Sequence, residues 1–160
     1  MNSRFGFPGI PSFTLPPLIA RLGARLPQWP HSVNLVLALN AARKLGVLPE
    51  YGLEELEGRY FRVTVLDTGM VVDFAYNGGA FRPIFRSFNR PDLHFAAPLS
   101  AFLQLVSRQE DPDTLFFNRT LTIEGDTDLG LRVKNMLDAV EWPSLPWPGL
   151  RLIFSRSSSF

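Results

Sequence analysis

The chain contains no cysteine and only two histidines. The first absence excludes disulfides, thiol nucleophiles and cysteine-ligated metal sites, and it allows a reducing cytoplasm. The second leaves His31 and His94 far apart, neither at metal-ligand spacing from another donor. No metal and no cofactor is therefore implied. No apolar run reaches the ~18 residues of a membrane-spanning helix, and the start lacks the uninterrupted apolar stretch of a signal peptide. Acids are missing before Glu50, although Arg4, Arg21, Arg25, Arg43 and Lys44 precede it. With a formal net charge of +1, the remainder carries the surplus of acids, so the N-terminal part is the part suited to an anionic surface. The bases are sparse and interleaved with apolar residues, which fits a membrane better than nucleic acid.

Catalytic signatures are missing as well. There is no Gly-x-Ser-x-Gly, phosphate loop, dinucleotide fingerprint or His-Glu-x-x-His. Asn77-Gly78-Gly79-Ala80 matches a glycine loop only loosely and reads more simply as a hairpin turn. Glu124, Asp126 and Asp128 lack the spacing of a calcium loop, and acids at a helix start are favourable through the helix dipole alone. His94 alternates with Leu93 and Phe95, which places it on an outer polar face or at a cavity wall. A hydroxyl or carboxylate beside it inside a cavity would point to an enzyme acting on acyl chains.

What the chain has is aromatic carbon: 14 Phe against three Tyr and three Trp. With 160 residues, 46% of them apolar, there is material for one domain with a real core. Some rings belong to that core, and others are available to line a cavity. Residues 1–30 read as an extension in which Pro8, Pro11, Pro16, Pro17, Pro27 and Pro30 forbid long regular structure. Within it, Pro17 to Leu26 can form a short helix with Leu18, Ile19 and Leu22 on one face and Arg21 and Arg25 beside it. Together with Phe5, Phe7 and Trp29 this suits contact with an anionic membrane surface, where arginine stems can snorkel. Packing on the domain itself or on another subunit is the alternative.

The periodicity then changes several times. Val33 to Leu48 is apolar all round and predicts a helix buried on most sides. Arg59–Leu66, Met70–Tyr76 and Ala80–Phe88 alternate or are β-rich, with turn signals at Asp67-Thr68-Gly69 and Asn77-Gly78-Gly79. Asp92–Ala96 is a fourth short strand. A helix to about Gln109 follows Pro98, with Leu99, Phe102, Leu103 and Val106 predicted inward and Ser100, Gln104 and Arg108 outward. Asp111-Pro112 starts a turn or short helix. Residues 119–124 form a fifth strand, and Asp126 or Thr127 caps a final helix, Asp128 to Val140. Its stripe is Leu129, Val133, Met136, Leu137 and Val140, and Leu131 points elsewhere. Helices and strands are largely segregated, an α+β layout. The Pro/Trp-rich tail, 143–160, is expected to fold back onto the domain.

The run Asp111 to Leu131, with Phe116, Leu121, Ile123, Gly125, Asp126, Leu129 and Leu137, resembles the end of the sterol carrier protein 2 domain, although Asn118 stands where a small residue is usual. The likeness extends from about His31 to Glu141 and points to a branch serving oxygen-independent ubiquinone biosynthesis. It implies a five-stranded, mainly antiparallel sheet covered by helices and enclosing a hydrophobic tunnel, in a lipid-binding domain spanning 31–142. It also implies a cytoplasmic, non-enzymatic accessory factor, peripheral at the inner membrane. The ligand would be an isoprenoid quinone precursor or phospholipid, and the partners UbiU–UbiV-like proteins with iron–sulfur clusters. The residues offered as ligand walls follow from the faces above: Phe74, Phe85, Phe88, Phe95, Phe102, Val106, Phe116 and Phe117, with Leu129, Val133 and Leu137 from the last helix. A general lipid transfer protein on the same fold remains an alternative.

Overall fold

Alternation along the strands decides which face of the sheet is buried. On β1 (Arg59–Val65), Phe61 and Val65 are buried, and on β2 (Met70–Asn77) Val72, Phe74 and Tyr76 are. The register sets Phe61 opposite Phe74 and Val63 opposite Val72, so these side chains share one face. Phe81 of β3 (Ala80–Pro83) and Leu93 and Phe95 of β4 (Leu93–Ala97) extend it. In the computed structural model, which describes residues 11–25, 29–86 and 90–140, strand β5 (Thr122–Gly125) completes the sheet in the order β3-β2-β1-β4-β5. The β1–β4 pairing is parallel and the other three are antiparallel. The expected α+β, mainly antiparallel five-stranded layout is what forms.

Helices α1 (Pro17–Arg25) and α2 (Trp29–Lys44) precede the sheet. α3 (Leu99–Val106), α4 (Pro112–Phe117) and α5 (Thr127–Asp138) follow β4 and bracket β5. Val36 of α2, Ala101 of α3, Leu115 of α4 and Leu129 and Met136 of α5 join the sheet residues in one core. A one-turn 3-10 helix, Leu53–Leu56, precedes β1, where the sequence reading placed no element. Its Leu53 and Leu56, three residues apart, are both buried, and that spacing was the available signal.

Helix α2 starts and stops four residues earlier than the apolar run suggests. Its end is a Schellman turn: Gly46 has φ 71, Gly46 N donates to Arg43 O and Val47 N to Ala42 O. It is also less buried than its composition predicts. Val36 faces the core, but Leu37 is exposed, because α2 lies on β2 and β3 along one flank only. Asn40 makes that flank specific. Its amide donates to Phe81 O and accepts from Phe81 N, both at 2.9 Å, and so occupies the open edge of β3.

The inward face of α3 differs from the one expected, although Phe102 does pack partly buried against the core. Ser100, Ala101 and Gln104 are buried, whereas Leu103 and Val106 are exposed. Small residues let the helix approach closely, and polar anchors seat it: Asp67 accepts from Leu99 N at 2.8 Å and Ser100 Oγ donates to Phe13 O. Asp67 also accepts from Leu15 N, so the chain before α1 is tied to the β1–β2 turn. The stripe on α5 does face inward, while Leu131 is exposed rather than finding a second partner. β3 ends at Pro83, not at Phe88, where the ladder loses an N–H donor.

Candidate functional site

The open ends of α3, α4 and α5 meet around a cleft of about 270 Å³. Leu105, Val106, Pro112, Leu137 and Val140 supply apolar walls, and Arg108, Glu110, Asp111 and Asp138 form a charged rim. Each wall has a local cause. α3 ends because Arg108 takes φ 56, closing a Schellman turn in which Gln109 N donates to Gln104 O. An arginine in this left-handed conformation is unusual, since glycine adopts it without steric penalty. Its guanidinium donates to Asp138 O at 2.9 Å, joining the end of α3 to the end of α5.

α4 starts because Asp111 accepts from Thr114 N and Pro112 fills the first turn. The Thr114 backbone N–H, helped by its hydroxyl, holds the Asp111 carboxyl below the usual carboxylate range. Lys134 of α5 reaches Asp113 of α4 at 2.8 Å. The ammonium is held above its ordinary range by that partner.

The proposed wall residues occupy three environments. Phe74, Phe95 and Leu129 are buried in the core, and Phe102 and Val133 pack partly buried against it. Val106 and Leu137 line the cleft. Phe85, Phe116 and Phe117 are exposed, Phe117 to 78%, with the Phe116 and Phe117 rings edge to face at 6.0 Å. Phe88 lies outside the described residues. Arg108, Pro112 and Glu110 of the cleft escaped sequence reasoning. Val106, Leu137 and the Asp111-Pro112 cap were the signals that marked this corner.

On α1, Leu18, Ile19 and Leu22 all face outward, Leu18 at 71% and Leu22 at 65% exposure, and Arg21 and Arg25 are exposed beside them. Phe5, Phe7, the Trp29 side chain and the 143–160 tail lie outside the described residues. Among those residues, no helix is long and apolar enough to cross a membrane.

The other face of the sheet carries a polar row. Asp73, Arg62, His94 and Glu124 stand in register on β2, β1, β4 and β5. Arg62 forks onto buried Asp73 at 2.7 and 3.0 Å, which raises its pKa. Thr64 Oγ1 lies 2.9 Å from His94 Nε2, and Glu124 lies 3.8 Å from His94 Nδ1. This is the hydroxyl neighbour that an acyl-chain enzyme would need, but it sits opposite the core and outside the cleft. β1 and β4 are each paired on both sides, so their backbone N–H groups are committed to ladders rather than free to stabilise an oxyanion. Among the described residues no group of three or more His, Asp or Glu is placed to hold a metal. Asp126 instead caps α5, accepting from Asp128 N and Leu129 N.

A mixed five-stranded sheet packed with helices, and an apolar cleft between the ends of three of them, defines an α+β domain of the sterol-carrier type. The chain belongs to the SCP-2 sterol transfer family, whose model matches residues 39–138. It is 39% identical over 108 residues to the ubiquinone biosynthesis accessory factor UbiT of Escherichia coli strain K12, and equally to that of strain O157:H7. That match covers 68% of this chain but spans only 60% of the length of those relatives. Among solved structures, a UbiJ-SCP2 ubiquinone synthesis protein is similar with TM-score 0.54 at 14% identity, covering 69% of this chain and 99% of that one. Palmitated SCP2L2 of Aedes aegypti is similar with TM-score 0.50 at 15% identity, covering 70% and 99%. These structural likenesses are likenesses of fold.

Proposed function

We propose that this chain is a non-catalytic, lipid-binding accessory factor of oxygen-independent ubiquinone biosynthesis. It holds or presents a polyprenyl quinone precursor or phospholipid to hydroxylating partners of the UbiU–UbiV type. The observation that carries this reading is the 39% identity to UbiT along the family domain. The ligand lies between the core face of the sheet and α3 and α5, against Phe102, Val133 and Leu137, with entry at the α3–α4–α5 cleft. A cleft of about 270 Å³ takes only part of a long chain, since pockets for drug-sized ligands hold ~300–1,000 Å³. Loading therefore parts α3 from α5, where Arg108 forms a hydrogen-bonded bridge. Each methylene buried contributes ~0.8 kcal/mol, so ten carbons supply roughly 8 kcal/mol before ordering losses. α1 meets an anionic membrane surface through Leu18, Ile19, Leu22, Arg21 and Arg25.

A general lipid transfer protein is the second reading, favoured by the family's description and by the palmitate on the SCP2L2 relative. Native mass spectrometry and lipid extraction of the full chain from anaerobically grown cells separate the two. Polyprenyl phenols in the extract support the ubiquinone reading, and a broad phospholipid mixture without them supports transfer. Phe102→Asp is expected to abolish lipid co-purification. A chain that carries no lipid from any source would defeat both readings.

A further inference from the structure

Helix α5 delivers the chain to the wall of the cleft. Val140 is a wall residue, buried, and its N–H donates to Leu137 O, so the chain is fixed there as it leaves the helix. Residues 141–160 follow directly and lie outside the described residues. Their sequence is rich in large apolar side chains: Trp142, Leu145, Trp147, Leu150 and the run Leu152-Ile153-Phe154. Pro143, Pro146 and Pro148 deny this stretch a helix and stiffen it, which lowers the entropy lost when it binds a surface. After Glu141 it contains no acid, and it carries Arg151 and Arg156.

The cleft is complementary to that segment in both respects. Val106, at 53% exposure, and Leu105 and Leu137, each partly buried, leave apolar carbon uncovered among the described residues. Three carboxylates, Glu110, Asp111 and Asp138, stand on a rim whose lining cation, Arg108, already donates to Asp138 O. Trp147 is seven positions beyond Val140. Seven residues reach up to ~23 Å, against the ~8–10 Å between packed helices, so the ring can return to the cleft.

We infer that the segment Trp142–Phe154 occupies the α3–α4–α5 cleft of its own chain, with Trp147 against Val106 and Leu137 and Arg151 at the acidic rim, and that an incoming lipid displaces it. The inference rests on the reading of this cleft as the lipid entry and adds a built-in competitor to it. A cleft of about 270 Å³ cannot hold the segment and a lipid tail together. A tethered competitor acts at an effective concentration of roughly millimolar. The cleft therefore loads, at low lipid concentration, only with a chain that buries more apolar surface than the segment does.

The absence of cysteine gives a clean background for the test in the full, delipidated chain. Ser107→Cys/Pro148→Cys, one thiol at the end of α3 and one beside Trp147, is expected to close an intramolecular disulfide under mild oxidation and to stop closing in excess oleate. Arg82→Cys/Pro148→Cys, with its first thiol on the other face of the sheet, should not close. Trp147→Ser/Leu150→Ser should bind the fluorescent fatty acid cis-parinaric acid roughly tenfold more tightly than wild type, the change expected when two apolar side chains stop competing for the site. Failure of the Ser107 pair to close, with equal probe affinity in wild type and Trp147→Ser/Leu150→Ser, would overturn the inference and leave the cleft as a lipid site. A disulfide formed only between two copies would assign the segment to a neighbour's cleft and overturn it too. Closure that excess oleate does not reverse would overturn the competition. No probe binding in either chain would instead defeat the lipid-site reading on which the competition depends.

Discussion

Gly125 shows how a single residue can carry a family signature for purely steric reasons. Its φ is 123, and a Cβ there would overlap the carbonyl oxygen of Asp92, which also accepts from Asp126 N. Gly125→Ala is expected to destabilise the fold by roughly 3 kcal/mol or more, combining backbone strain and overpacking; urea unfolding measures it. Asn40 shows the opposite case, a residue whose role has no local sign. Nothing in its neighbours along the chain announces that it pairs with both backbone groups of Phe81, 41 positions away. Asn40→Ala should cost about 1–3 kcal/mol through the donor and acceptor it strands, read as a fall in Tm. Asp111 titrates below its ordinary range, so its capping contribution is present above the usual carboxylate pKa and is lost as pH falls through the depressed value. Asp111→Asn should flatten the acid limb of the stability–pH curve, because the amide caps without titrating.

At the scale of elements, pattern located every strand and α-helix described but not the 3-10 helix Leu53–Leu56, and it assigned faces correctly only where hydrophobic burial alone sets them. α5 is such a case: one apolar stripe meets one core. α3 is not, because Ser100 and Ala101 approach the sheet and the hydrogen bonds of Asp67 and Ser100 seat the helix, leaving Leu103 and Val106 outward. α1 was read as amphipathic, and its apolar face indeed points to solvent. Leu18→Ser/Leu22→Ser should therefore alter stability by no more than about 0.5 kcal/mol, as surface substitutions do, while reducing flotation with anionic liposomes. A large fall in Tm would mean that this face is covered.

At the scale of the whole molecule, the part of the chain before Glu50 carries no acid, and this governs the last prediction. Removing residues 1–29 should lower liposome flotation and leave a folded domain. It should also reduce stability modestly, since Phe13 O and Leu15 N bond to Ser100 and Asp67, and each such bond contributes about 1 kcal/mol. Residual flotation in the truncated chain should fall as salt rises, because exposed charges are screened over a Debye length of ~10 Å at 0.1 M.

By itself the sequence determined the element order, the α+β class and the family, because periodicity, turn residues and motif spacing are local properties. Only the tertiary structure decided that a cleft opens at the ends of α3, α4 and α5. Only it decided that Thr64 meets His94 on the polar face of the sheet. Those depend on strand order and on which helix face is turned down, and both are set by contacts between residues distant in the chain.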